Sequence, residues 1–145
     1  MSRVAVIDIG TVTARLGVSD VAASRVERCA KTSTICSLGE DVAETGMLRE
    51  DACARVLSCV DGYLAQARES GAEVACCTLT SAARDAANSN VLLDGLAVGF
   101  GQCRDVAVVH VDGLVNGGSG FVGRAAEAAA CLLAHGLHLF RGVHD

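Results

Sequence analysis

The stretch VAVIDIGTVTARLGV, residues 4–18, restricts the fold of this chain more than any other part of it. Val4 to Ile9 is a run of β-formers interrupted by one carboxylate, Asp8. Gly10 follows, then Thr11 and Thr13, and an apolar run resumes as far as Val18. Short runs of this kind, rich in Val and Ile and broken by glycine, predict two buried strands, Val4–Asp8 and Thr13–Val18, joined by a tight turn at Gly10. A sheet that starts this way needs a cover. Arg49–Ser70 provides one, because Ala52, Val56, Val60, Leu64 and Ala67 recur every three or four residues along one helical face. Gly71 then stands where a left-handed residue ends such a helix.

The remaining elements follow from the same reading. Arg25–Ile35 predicts a third strand, with Arg25, Glu27 and Lys31 keeping parts of it wet. Ser37–Leu48, with two glycines, predicts a loop. EVACCTL, Glu73–Leu79, predicts another buried strand. Thr80 or Ser81 is placed to cap a helix over AARDAAN, and a short helix is expected around Val91–Leu96. Three strands, a helix, a strand and a helix give an α/β domain whose first three strands form an antiparallel meander. Beyond Gly99, DVAVVHV predicts a strand, GLVNGGSG a glycine-rich loop and FVGRAAEAAACLLAHG a helix.

Length and charge narrow the function classes. A chain of 145 residues fits one domain with a real core. A net charge of −5 speaks against a nucleic-acid or anionic-membrane partner. It leaves a phosphorylated substrate open, since local amides and one or two arginines hold phosphate against an unfavourable total. No apolar run approaches the roughly 20 residues of a membrane span, and no leader pattern opens the chain, so a cytoplasmic protein is expected. The eight cysteines contain no C-x-x-C pair and sit mostly in apolar runs, where cysteine acts as a small hydrophobe rather than a zinc ligand.

Two segments have the residue types that phosphate chemistry needs. At Asp8-Ile9-Gly10-Thr11-Val12-Thr13, a glycine lets backbone approach an anion, and neighbouring amides and hydroxyls can donate to it. A carboxylate beside phosphate would act through a hydrated metal ion or a water. An ordinary hairpin with a solvated aspartate accounts for the same residues. At Thr80-Ser81-Ala82-Ala83-Arg84-Asp85-Ala86-Ala87-Asn88, a helix start follows a buried strand, with Arg84 one turn along and Asn88 one turn further on the same face. A capped surface helix is the plain alternative.

VIDIGTVTARLGV, SLGEDVAETGML and TSAARDAAN occur in that order. Together they resemble the N-terminal domain of the exopolyphosphatase/guanosine pentaphosphate phosphatase (Ppx/GppA) family, over roughly residues 3–96. The resemblance implies a ribonuclease H-like, actin-like ATPase fold with a mixed sheet and flanking helices. It implies removal of terminal phosphate from polyphosphate or pppGpp, with a divalent metal, magnesium or manganese. By the same resemblance Gly10, Thr11, Thr13, Arg15, Ser81, Arg84 and Asn88 are phosphate contacts and Asp8 lies at the metal, while Leu38-Gly39-Glu40 and Thr45-Gly46 match the intervening loop.

The chain also departs from that pattern. Val12 stands where the family usually has asparagine, and Ser37 where it usually has arginine. The glutamate-alanine landmark that carries the family's likely base, expected near residues 110–125, is not recognisable. Glu127 is the nearby candidate, in the context of a solvated helix face, so the catalytic base is unassigned. Residues 99–145 read as divergent, truncated or out of frame, and the second wall of the cleft is absent from the text. Three readings follow: a phosphohydrolase domain inactive alone, a non-catalytic phosphate-binding or interaction module, or a cleft completed by a second copy or a partner chain. In the tail, GGSGFVG (Gly117–Gly123), with Asp145 downstream, fits a short NAD(P)-binding Rossmann fragment.

Overall fold

The computed structural model describes residues 2–22, 25–79, 81–100, 106–110 and 113–114. Strands β1 (Ser2–Ile9), β2 (Thr13–Ala22) and β3 (Arg25–Ile35) form the expected antiparallel meander. The chain then runs through a short helix α1 (Val42–Thr45) and the long helix α2 (Glu50–Glu69) to β4 (Val74–Leu79), which lies parallel to β1 on its other side. Helices α3 (Ser81–Asp85) and α4 (Ser89–Phe100) follow. β5 (Val106–His110) pairs parallel with β4, and the two-residue β6 (Gly113–Leu114) closes on β5. The sheet order is β3-β2-β1-β4-β5-β6, so β1 is central. The sheet thus continues past residue 98.

One face of this sheet holds the core. Ala5, Ile7 and Ile9 of β1, Ala14, Leu16 and Val18 of β2, and Ala75, Cys77 and Leu79 of β4 all belong to a single buried cluster. Against them α2 lays Val56, Val60, Tyr63, Leu64 and Ala67. The Tyr63 hydroxyl donates to the Ala14 carbonyl at 3.0 Å and shares a 2.7 Å hydrogen bond with Thr34 Oγ1, so the aromatic ring is buried without an orphaned oxygen. Gly71, at φ 78°, ends α2 as expected: its amide returns to Arg68 and that of Ala72 to Ala67.

Two elements differ from expectation. The loop over Ser37–Leu48 contains α1, one helical turn bounded by left-handed Asp41 (φ 63°) and Gly46 (φ 69°), with the Gly46 amide closing on Val42 O. α4 is twice the expected length, and Gly95 within it lies against α2. A Cβ there would fall 2.6 Å from Leu57 Cδ1, so glycine allows the two helices to approach.

Candidate functional site

Parallel pairing of β1 with β4 sets the geometry. Ile9 stands beside Leu79, so the turn after β1 and the start of α3 leave the sheet at the same edge. The loop between α1 and its flanks ties the two together. The amides of Cys36 and Ser37 both donate to Val12 O (2.9 and 2.8 Å), and that of Gly39 donates to Thr11 O at 2.8 Å. A Cβ on Gly39 would collide with Thr11 Cγ2 and would lie 3.4 Å from Ala82 Cβ. Gly39 is therefore the spacer that brings the first turn and α3 together.

Within the turn, Gly10 donates to Thr13 O at 3.0 Å, and a Cβ at Gly10 would press on that same carbonyl at 2.9 Å. Thr11 and Val12 are exposed and Thr13 is half-buried. Two residues before the turn, on the face away from the α2 core, Asp8 Oδ1 accepts from Thr78 Oγ1 at 2.9 Å. Its Oδ2 lies 4.0 Å from Arg15 Nη1, with the Asp8 side chain 18% exposed and that of Arg15 32%. The sheet register explains the grouping, since Asp8 is the cross-strand partner of both Arg15 and Thr78. The hydroxyl and the guanidinium fix the direction of the carboxylate, and the arginine offsets its repulsion of an incoming anion. Thr78 carries no signal in the sequence. Its role depends on pairing between strands about 70 residues apart.

The second motif is placed at this edge, with a shorter helix than the sequence suggests. Ser81 and Arg84 lie on α3, a helix of five residues that buries Ala82 and Ala83. Asn88 does not continue its face. The helix ends at Asp85 because the Ala87 amide donates outward to Gly46 O at 2.8 Å. The Asn88 carboxamide then grips Leu48 on both sides, accepting from its amide at 2.7 Å and donating to its carbonyl at 3.0 Å. Asn88 thus holds the intervening loop. Thr80, Glu127, Gly117–Gly123 and Asp145 lie outside the described residues.

Three carboxylates in and beside the loop, Glu40, Asp41 and Asp51, are already engaged. Arg49 meets Glu40, Asp41 and Asp51 at 3.4, 3.1 and 2.9 Å, and Arg55 meets Glu40 and Asp51 at 3.3 and 3.0 Å. The Arg49 guanidinium, through its hydrogen bond above all, holds the Asp51 carboxyl below the usual range. Among the described residues no group of three or more His, Cys, Asp or Glu converges as a metal cage, and no helix is long and apolar enough to cross a membrane. The cysteines of β4 behave as the sequence suggested: burial pushes the Cys76 thiol up to about 12 and Cys77 well above its ordinary value.

Comparison with known proteins agrees with this arrangement. The family description "Ppx/GppA phosphatase family" matches residues 18–110, which include the Leu38-Gly39-Glu40 loop and α3. A crystal structure of the Aquifex aeolicus Ppx/GppA family member is 29% identical, with a TM-score of 0.66 over 76% of this chain and 35% of that one. An exopolyphosphatase from Cytophaga hutchinsonii is 27% identical, with a TM-score of 0.64 over 75% of this chain and 34% of its own. The chain thus spans about a third of the length of these structures. Thermus thermophilus RuvC, 18% identical with a TM-score of 0.50 over 97% of this chain and 96% of its own, shares the fold alone. No curated protein matches the sequence. With the family description covering well over half its length, the chain belongs to the Ppx/GppA phosphatase family.

Proposed function

We propose that this chain is the phosphate-holding wall of a phosphohydrolase that acts on the terminal phosphate of polyphosphate or pppGpp. The observation that carries the proposal is the packing of Gly39 between Thr11 and Ala82, which puts two polar turns at one sheet edge, where open α/β sheets collect ligands. Gly10, Thr11 and Thr13 present backbone and hydroxyl groups there. Arg15 is one charge for an anion, and Ser81 and Arg84 belong to the segment opposite. Asn88 keeps the loop between them in place.

A divalent cation fits this wall in one form only. Asp8 is a single carboxylate with one oxygen turned to Thr78, so it suits magnesium or manganese that keeps most of its waters and takes further ligands from substrate phosphate. Bound there, such an ion would neutralise phosphoanhydride charge and lower the pKa of an attacking water. The chain's own residues then orient the phosphate and fix the carboxylate. Glu40, Asp41 and Asp51 are held in ion pairs and none of these three is free to serve as base, and a second copy or partner chain would supply the opposite wall. Alone, the chain should hold phosphate compounds weakly and hydrolyse them at background level, because a missing positioned base alone costs about 10²–10⁴ in rate.

Amide chemical shifts of the purified chain, titrated with tripolyphosphate and magnesium, test this reading. Shifts concentrated at Gly10–Thr13 and Ser81–Arg84, and diminished in Arg15→Ala, are expected. Shifts confined elsewhere would defeat it. Magnesium-dependent phosphate release that Arg84→Ala abolishes would show instead that the chain completes its own cleft.

A further inference from the structure

α2 crosses the end of β3 along one stripe. Arg55, Cys59 and Tyr63 are spaced four residues apart and so lie in line down the helix. The outer two have anchors on the β3 side. Arg55 Nε donates to the Cys36 carbonyl at 3.0 Å, and the Tyr63 hydroxyl meets Thr34 Oγ1 at 2.7 Å. Cys59, between them, is thereby set on the side of α2 that faces Cys36, and its sulfur is among the neighbours that raise the Cys36 thiol. Both are free, Cys36 buried and Cys59 half-buried.

We propose that Cys36 and Cys59 are a dithiol site, which a glutathione-type or protein disulfide closes into an intramolecular disulfide joining the end of β3 to the middle of α2. The more accessible Cys59 begins the exchange. Its thiolate attacks one sulfur of the oxidant, forming a mixed disulfide and expelling the other half as a thiolate. The Cys36 thiolate then attacks the Cys59 sulfur and releases the second half. Two protein thiols lose two electrons, the oxidant's S–S bond gains them, and the two protons end on the released thiols.

The surroundings fit this order. Burial above all, and then the neighbouring Cys59 sulfur, push the Cys36 thiol up to about 11, while the Arg55 guanidinium acts the other way. Cys36 therefore keeps its proton near neutrality and serves as the resolving thiol rather than the attacking one. Sulfurs placed on facing elements in this way have to close to about 2 Å for the bond to form. The bond would form at the root of the candidate site, since the Cys36 and Ser37 amides both hold the Val12 carbonyl. Cys76 and Cys77, buried in β4 on opposite faces of the sheet, offer no comparable entry. The site stands apart from any reading of the phosphate chemistry.

The full chain, incubated with oxidised glutathione or with dithiothreitol and mapped by non-reducing peptide mass spectrometry, provides the test. Oxidation should remove two hydrogens, about 2 Da, with a Cys36–Cys59 cross-linked peptide that dithiothreitol reverses. Cys59→Ser should abolish the cross-link and Cys53→Ser should leave it. A glutathione adduct on Cys59 that never resolves, a cross-link between other cysteines, or no reaction at all would overturn the proposal. The map of the unaltered chain decides even where a serine variant fails to fold.

Discussion

The two sides of β1 are made of alternate residues of one strand, yet they do different jobs. Ala5, Ile7 and Ile9 face α2 and are fully buried, so their side chains matter through volume and contact. Asp8, between two of them, faces the other way into a polar row with Arg15 and Thr78. Substitutions on the first side should change stability and leave the site's chemistry alone. Substitutions in the polar row of the second should do the reverse, although Val4 and Val6 on that same side are themselves buried. This difference follows from the two-residue period of a strand, which places packing and chemistry one residue apart.

The sharpest way to break the comparison is a pair of neighbouring changes. Ile7→Ala, at a site with no exposure, should lower unfolding free energy by about 3 kcal/mol in denaturant titrations. Asp8→Asn keeps an acceptor for Thr78 and should cost under about 1 kcal/mol. It should nevertheless erase the magnesium-dependent part of the tripolyphosphate shifts. Equal destabilisation by the two would mean that Asp8 is a structural group.

Gly39→Ala tests the seam between the two turns. The new methyl collides with Thr11 Cγ2, which should cost about 2 kcal/mol. Thr11→Ser removes that methyl, so the double variant should recover most of the loss, and a thermodynamic cycle would measure the coupling. Asn88→Ala is the next smaller effect, about 1 kcal/mol, from two hydrogen bonds to Leu48. Amide exchange at Leu48 should accelerate with it, while the Gly10 amide, bonded to Thr13 O, stays protected.

The smallest effect belongs to the exposed ion-pair network. The Asp51 carboxyl, held below its ordinary value of 3.8 by Arg49 first, contributes stability that is complete above that value. It is lost as pH falls through the lower folded value. Arg49→Ala should therefore lower the stability-versus-pH curve slightly at neutrality and leave its acid end unchanged, so that the fall below about pH 4 becomes shallower.

Local pattern in the sequence was enough for most of the fold. The meander, α2 with its Gly71 stop, β4 and the DVAVVHV strand each declare themselves through periodicity and punctuation. What was not legible depends on register and contact. Thr78 meets Asp8 only because β4 aligns residue for residue with β1. Gly95 falls inside the expected helix, but its use as the point of close approach to Leu57 is visible only in the packing of α4 on α2. Asn88 looked like the next turn of a helix until the Ala87 amide was found bonded to Gly46. The family motifs located the candidate site but could not say which of their residues face a ligand and which hold the others in position.

Parallel pairing of β1 with β4 also fixes when the site can exist. The β1–β2–β3 meander joins neighbours in the chain and can close as soon as residue 35 is available. The other half of the polar row arrives with Thr78, after a long crossover through α2, and α3 follows it. Contacts across such a separation form slowly, because a large loop must be ordered before any pairing rewards it. During synthesis, then, Asp8 spends the whole of α2's emergence without Thr78, and the glycine turn without α3. The candidate edge is the last part of this sheet's first four strands to be assembled.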